Sequence, residues 1–218
     1  MISYMSVRLI SYSQPPDHNQ SLQDLVAYCA RVSNPTNQNN VETNEKLIKY
    51  LINHQHWSPL EMVSICLEIE TTRDIARQIL RHRSFSFQEF SQRYAVADLD
   101  FTLRESRLQD SKNRQNSIEI EDEELQKKWN LLQSQVSETA KQSYKWALEN
   151  GIAKEQARVV LPEGMTKSRL YMNGSLRSWV HYIQLRSSNG TQKEHREVAL
   201  ECAKIISSIF PIIDTLDF

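Results

Sequence analysis

Glycine is scarce in this chain of 218 residues: only Gly151, Gly164, Gly174 and Gly190 occur. Neither a GxGxxG turn nor a phosphate-cradling Walker loop can be assembled from them. A bound dinucleotide is therefore not expected to sit on a Rossmann turn. Cysteine is sparse as well. Cys29, Cys66 and Cys202 lie far apart and form no CxxC pair, a pattern that fits reduced thiols in a cytoplasm better than a disulfide framework. No run of eighteen or more apolar residues exists, so no membrane span is expected. The polar opening segment, with Pro15 and Pro16, lacks an apolar signal core. A net charge of −1 gives no global attraction to nucleic acid or anionic lipid. The expected setting is intracellular and cytoplasmic, and the length suits one domain with a substantial core.

Periodicity places the elements. Val7, Leu9, Ile10 and Tyr12 predict an opening strand. Leu22 to Val32 reads as a helix with Ser21 as its cap, followed by a polar loop from Asn34 to Asn40. Thr43 to His54 reads as a helix capped by Thr43, broken by His56-Trp57-Ser58-Pro59. Alternation of Val63, Ile65, Leu67 and Ile69 predicts a strand. Thr72 is expected to cap a helix running to about Arg83. The following strand puts Phe85, Phe87 and Glu89 on one face. Arg104 to Glu124 is charge-mixed and poor in large apolar residues, which predicts a long surface loop or partly disordered insertion. Leu125 to Asn150 is a long amphipathic helix stopped by Gly151. A short helix over Ile152 to Leu161, a short strand near Leu170 to Met172, and helices over Leu176 to Leu185 and Gln192 to Ile209 complete the chain, with Asn189-Gly190 turning between the last two. The class is α/β in the loose, α+β-like sense. Helices pack on one modest mixed or antiparallel sheet in a single domain over residues 1–218, without a Rossmann topology.

The most informative stretch runs from Arg81 to Tyr94. It crowds Arg81, His82, Arg83, Glu89, Ser91 and Arg93 into fourteen residues of a nearly neutral chain. Guanidinium forks match planar oxyanions, phosphate above all. A glutamate accepts from sugar hydroxyls or ring N–H groups. The competing explanation is cations stabilising a helix C-terminus. Glu89 among aromatics needs a cationic or hydrogen-bonding partner in either case. A second group, His54, His56 and Glu61, carries metal-ligand residue types without the helical HExxH spacing. A third comprises Arg158, Arg169, Arg177, Gln184, Arg186, Gln192, Glu194 and Arg196, any one of which could be a solvated helix face. No cysteine has adjacent basic residues that would make it a thiolate nucleophile.

Arg-His-Arg, seven residues, then Ser resembles the signature of the flavin-dependent thymidylate synthases, here Arg81, His82, Arg83 and Ser91, with Glu89, Arg93 and Tyr94. His56, Ser58 and Glu61 match that family's His-x-Ser/Thr-Pro-x-Glu segment. Arg158 before Leu161-Pro162 and the series through Arg196 match its later motifs, with Gln184, Thr191 and His195 at variant positions. The resemblance implies conversion of dUMP to dTMP, with methylenetetrahydrofolate as one-carbon donor and FAD with NADPH as reductant. It implies dUMP binding by Gln78, Arg81, Glu89, Ser91, Arg93, Arg169 and Arg196. It implies FAD binding by Ser58, Glu61, Arg81, His82, Arg83, Glu89, Gln184, Arg186 and Asn189. Arg196 would act on the uracil ring and His56 would border flavin and folate, with no metal. A homotetramer with sites shared between subunits is the implied assembly, without a nucleic-acid or membrane partner. Two other classes stay open on the residues alone. One is a single-stranded nucleic-acid binder stacking bases on Phe85, Phe87, Phe90 and Tyr94. The other is a metal-dependent hydrolase using His54, His56 and His82.

Overall fold

The computed structural model describes residues 5–17 and 19–216; the outermost ends of the expected domain lie outside them. Strand β1 (Ser6–Tyr12) pairs antiparallel with β2 (Ser64–Thr72), with a register shift between Leu9 and Ser11. Strand β3 (Ser86–Glu89) and the distant β6 (Lys167–Ser175) complete the sheet in the order β1-β2-β6-β3, antiparallel throughout. The period of two sends Ile65, Leu67 and Ile69 of β2 and Leu170, Met172 and Gly174 of β6 into the core. Glu70, Arg169 and Tyr171 face outward on the same strands. Gly174 has a steric reason: a Cβ there would lie 2.4 Å from Cδ1 of Phe85, so the ring can cross β6 only at a residue without a side chain.

Helices α1 (Leu22–Ala30), α2 (Asn44–Asn53), α3 (Arg73–Ile79), α6 (Leu176–Arg186) and α7 (Lys193–Ser207) supply the rest of the core. Val26, Ile48, Ile75, Trp179, Tyr182, Val198, Cys202 and Ile206 are fully or almost fully buried there. Helix α4 (Glu123–Glu149) and the short α5 (Lys154–Ala157) form a second, smaller core around Tyr144, Ala147, Ala157 and Ala97. Gly151, at φ 77°, ends that long helix in the left-handed region.

Several expectations are corrected. Ser21 caps α1 in a full capping box with Asp24; Thr43 and Thr72 stand at the N-cap positions of α2 and α3 as expected, but their side chains make no capping hydrogen bond. Thr43 Oγ1 instead accepts from Arg31 at 2.9 Å, and Thr72 pairs with Asp74 and Arg104. Helix α3 stops at Ile79, so Arg81 to Arg83 sit in the turn beyond it and not on its last turn. The Asn34 to Asn40 loop contains a 3-10 turn over Pro35–Asn37. The last turn of the expected 152–161 helix is also 3-10, over Arg158–Val160. Strand β6 is nine residues long and bridges β2 and β3, well beyond the short strand expected. The 104–124 segment is not an open loop. Strands β4 (Arg107–Gln109) and β5 (Ser117–Glu119) form an antiparallel hairpin. Arg104 and Arg107 tie it to Glu194 at 2.8 and 2.5 Å, and Lys193 reaches Glu105 and Glu119 at 2.8 Å each.

Candidate active site

The junction of α3, α6 and α7 brings together three of the predicted residues, Gln78, His82 and Arg186, through His195, and Asn189 and Arg196 pair with each other at the adjoining turn. Arg186 Nε–H donates to His82 Nε2 at 2.9 Å. His82 packs edge-on against Tyr182, ring centroids 4.9 Å apart. Burial, and then the Arg186 charge, push the His82 pKa down to about 4. The imidazole is therefore neutral near pH 7 with its remaining proton on Nδ1. Arg196 Nη1 donates to Asn189 Oδ1 at 3.1 Å, which holds the guanidinium over the turn between α6 and α7. Gln78 Nε2 donates to Gln192 Oε1 at 2.8 Å. Gln78 Oε1 lies 3.2 Å from Nδ1 of His195, whose Nε2 is 3.2 Å from Tyr182 Oη. Burial, then the charges of Arg186 and His82, lower the pKa of His195 to about 3.

Glu194 closes this network. Gln192 Nε2 donates to its Oε2 at 2.9 Å, and Arg104 and Arg107 hold its Oε1. Burial alone would raise its pKa. The Arg107 hydrogen bond and the Arg104 charge outweigh burial and bring it to about 2. Glu194, His195, Tyr182, Arg104 and Arg107 were assigned no ligand role in the sequence reading. The signals available were Glu194 beside Gln192 and Arg196 in the last motif and His195 at a variant position of it.

The other predicted residues lie around this junction in separate groups. Arg81 and Arg83 are exposed in the turn after α3. Glu89 points to the core side of β3 and pairs with Arg73 at 3.6 Å, Arg77 at 3.3 Å and Ser168 Oγ at 2.8 Å. Its required cations are thus supplied within the chain. Ser91 Oγ accepts from the Arg93 backbone N–H at 3.3 Å, and Arg93 Nε donates to Glu155 at 3.2 Å. His56 and Ser58 are exposed beside the 3-10 turn Ser58–Met62. Glu61 in that turn accepts from Arg177 at 2.8 Å. The Ser175 hydroxyl and Arg177 lower its pKa against the effect of burial. Arg169 lies on the outer sheet face, paired at 2.8 Å with its cross-strand partner Glu70, which raises its pKa. Gln184 is exposed on α6.

The donor set fits a flavin dinucleotide. Among the described residues, the side chains of Arg81 and Arg83 have no hydrogen-bond or ion-pair partner, which leaves two guanidinium forks for a pyrophosphate. Gln184, Ser58 and the Arg196–Asn189 pair add neutral and cationic donors. Of the four rings a base stack would use, Phe85 is 9% exposed and meets Trp179 edge-on at 4.9 Å and Phe87 is half-buried, whereas Phe90 and Tyr94 are exposed. Among the described residues no group of three or more His, Cys, Asp and Glu is placed to hold a metal ion, and no helix is long and apolar enough to cross a membrane.

Fold and site together define an α+β protein whose singled-out arginines are dispersed over a turn, two helices and the outer face of an antiparallel sheet. The family model described as thymidylate synthase complementing protein matches residues 8–212. The chain is 51% identical over 213 residues to a flavin-dependent thymidylate synthase of Synechocystis, covering 96% of this chain and 97% of that one. It is 48% identical over 210 residues to a probable flavin-dependent thymidylate synthase of Paramecium bursaria Chlorella virus 1, with coverages of 96% and 97%. A UMP/dUMP methylase, PolB, from Streptomyces cacaoi, solved with 5-Br dUMP, superimposes with a TM-score of 0.84 at 25% identity, covering 97% of this chain and 93% of that one. The chain belongs to the thymidylate synthase complementing protein family.

Proposed function

We propose that the chain is a flavin-dependent thymidylate synthase, moving a one-carbon unit from methylenetetrahydrofolate to C5 of dUMP and reducing it to a methyl group. Bound FAD would supply the two-electron reduction, replenished by NADPH. The protein supplies binding, orientation and electrostatics. In this reading Gln78, Arg81, Glu89, Ser91, Arg93 and Arg169 hold the nucleotide. Ser58, Glu61, Arg81, His82, Arg83, Glu89, Gln184, Arg186 and Asn189 hold the flavin, and His56 borders flavin and folate. Arg196 stabilises charge developing on the uracil ring, as an oxyanion donor does. The observation that carries the reading is the junction of α3, α6 and α7, where Gln78, His82 and Arg186 come together around His195 with the Arg196–Asn189 pair at the adjoining turn.

The same residues occupy several faces of one chain, which supports a site completed by other copies in a homotetramer. Leu125, Trp129, Leu132 and Val136 add to this. They follow a four-three-four spacing along α4 and are exposed, the pattern of an apolar helix seam. The test is flavin content measured together with particle mass. Flavin retained by an oligomer is expected. A flavin-loaded monomer contradicts the shared site, and a folded, assembled protein that takes up no flavin contradicts the flavin reading.

A further inference from the structure

We infer that Glu194 locks the amide of Gln78 in one orientation, and that this lock makes the site discriminate uracil from cytosine nucleotides. The inference rests on the reading that dUMP lies against Gln78. Direction is set from the charged end of the network. Glu194 is a carboxylate held by Arg104 and Arg107, so its Oε2 can only accept. Gln192 must therefore donate its N–H to Glu194 and turn its carbonyl oxygen to Gln78. Gln78 must in turn donate through Nε2 and face His195 with Oε1. His195 then carries its proton on Nδ1, and its bare Nε2 accepts from the Tyr182 hydroxyl. The links from Gln192 to Tyr182 are neutral groups, each able to run either way; the carboxylate removes the choice. His195 and Tyr182 are 0% and 1% exposed, so water cannot substitute for a reversed link.

Gln78 keeps one oxygen lone pair and one N–H for a ligand. Uracil offers N3–H and O4, a donor beside an acceptor. Cytosine offers N3 and N4–H₂, the reverse. A freely turning glutamine serves both, whereas a locked one serves a single pattern, and the other is left with unpaired polar groups.

Glu194→Gln is the test. Arg104 and Arg107 would keep its oxygen, so its new NH₂ would face Gln192 and reverse every link back to Tyr182. Nitrogen chemical shifts should then move His195 from the Nδ1–H to the Nε2–H tautomer. Calorimetric titration with dUMP and with dCMP should show the preference for dUMP reduced by at least about tenfold. An Nε2–H tautomer in the unaltered protein, or an unchanged dUMP-to-dCMP ratio in folded Glu194→Gln, overturns the lock. Failure of the unaltered, flavin-loaded protein to bind dUMP instead removes the reading beneath it. If Glu194→Gln does not fold, Gln192→Leu cuts the link between the carboxylate and Gln78 while leaving Glu194 with Arg104 and Arg107. Gln78 is then held only by His195, whose proton can sit on either nitrogen, so the ratio must narrow, and an unchanged ratio there overturns the lock.

Discussion

A carboxylate turned to the core side of a sheet needs partners, and Glu89 has Arg73, Arg77 and Ser168. Arg196 is placed differently, half-buried and steered by the neutral Asn189, so its charge remains available to a ligand. Arg169 sits on the outer sheet face with Glu70. The roles proposed for the two arginines differ: Arg169 would hold the dUMP phosphate, and Arg196 would stabilise charge on the uracil ring. Phosphate is unchanged by the chemistry, so an arginine bound to it acts equally on ground and transition states. Arg169→Ala should chiefly weaken dUMP affinity, by about 1–3 kcal/mol for a lost charged hydrogen bond. Arg196→Ala should chiefly slow turnover at saturating dUMP. Steady-state kinetics on both folded variants, with flavin occupancy checked, is the measurement. Normal turnover of Arg196→Ala at saturation would show that the ring is activated by another group.

The helix junction is where element packing meets titration. His82 and His195 enter it neutral, with pKa values held near 4 and 3 against an ordinary 6.5. The unfolded chain takes up these protons below pH 6.5 while the folded junction refuses them. The stability they contribute is therefore fully present above about pH 6.5 and lost as pH falls toward 4, at up to about 1.4 kcal/mol per pH unit for each group. Urea midpoints of the unaltered protein should drop steeply between pH 6.5 and 4; a flat profile would place both imidazoles in water. Much of this architecture was legible beforehand. Strand alternation in β1, β2 and β3 and the apolar stripes of α1, α2, α4 and α7 are local signals. What was not legible depends on distant partners. Thr43 and Thr72 have capping chemistry, but Arg31 and Arg104 take their hydroxyls. Strand β6 is poor in β-branched residues, and pairing on both sides makes it a strand. The 107–119 hairpin is held by charges reaching α7 across the fold, which no window of local sequence contains. Glu194 and His195 entered the network for the same reason.

At the scale of the whole molecule, the central claim is thymidylate synthesis without a protein thiol. Cys202 is buried in α7, and burial raises its pKa. Cys66 lies half-buried on the outer side of β2, and burial raises its pKa too. Cys29 is half-buried on α1. Cys202 lies near enough to Tyr182 to act on its hydroxyl, but a thiol pushed up by burial is a poor nucleophile near neutral pH. The most direct measurement is dTMP formation from dUMP, methylenetetrahydrofolate and NADPH by the Cys29→Ser/Cys66→Ser/Cys202→Ala protein loaded with FAD. The account predicts dTMP at a measurable rate that vanishes when the flavin is removed and returns when it is restored. A folded, flavin-loaded variant that binds dUMP but makes no dTMP, while the unaltered protein does, would contradict it.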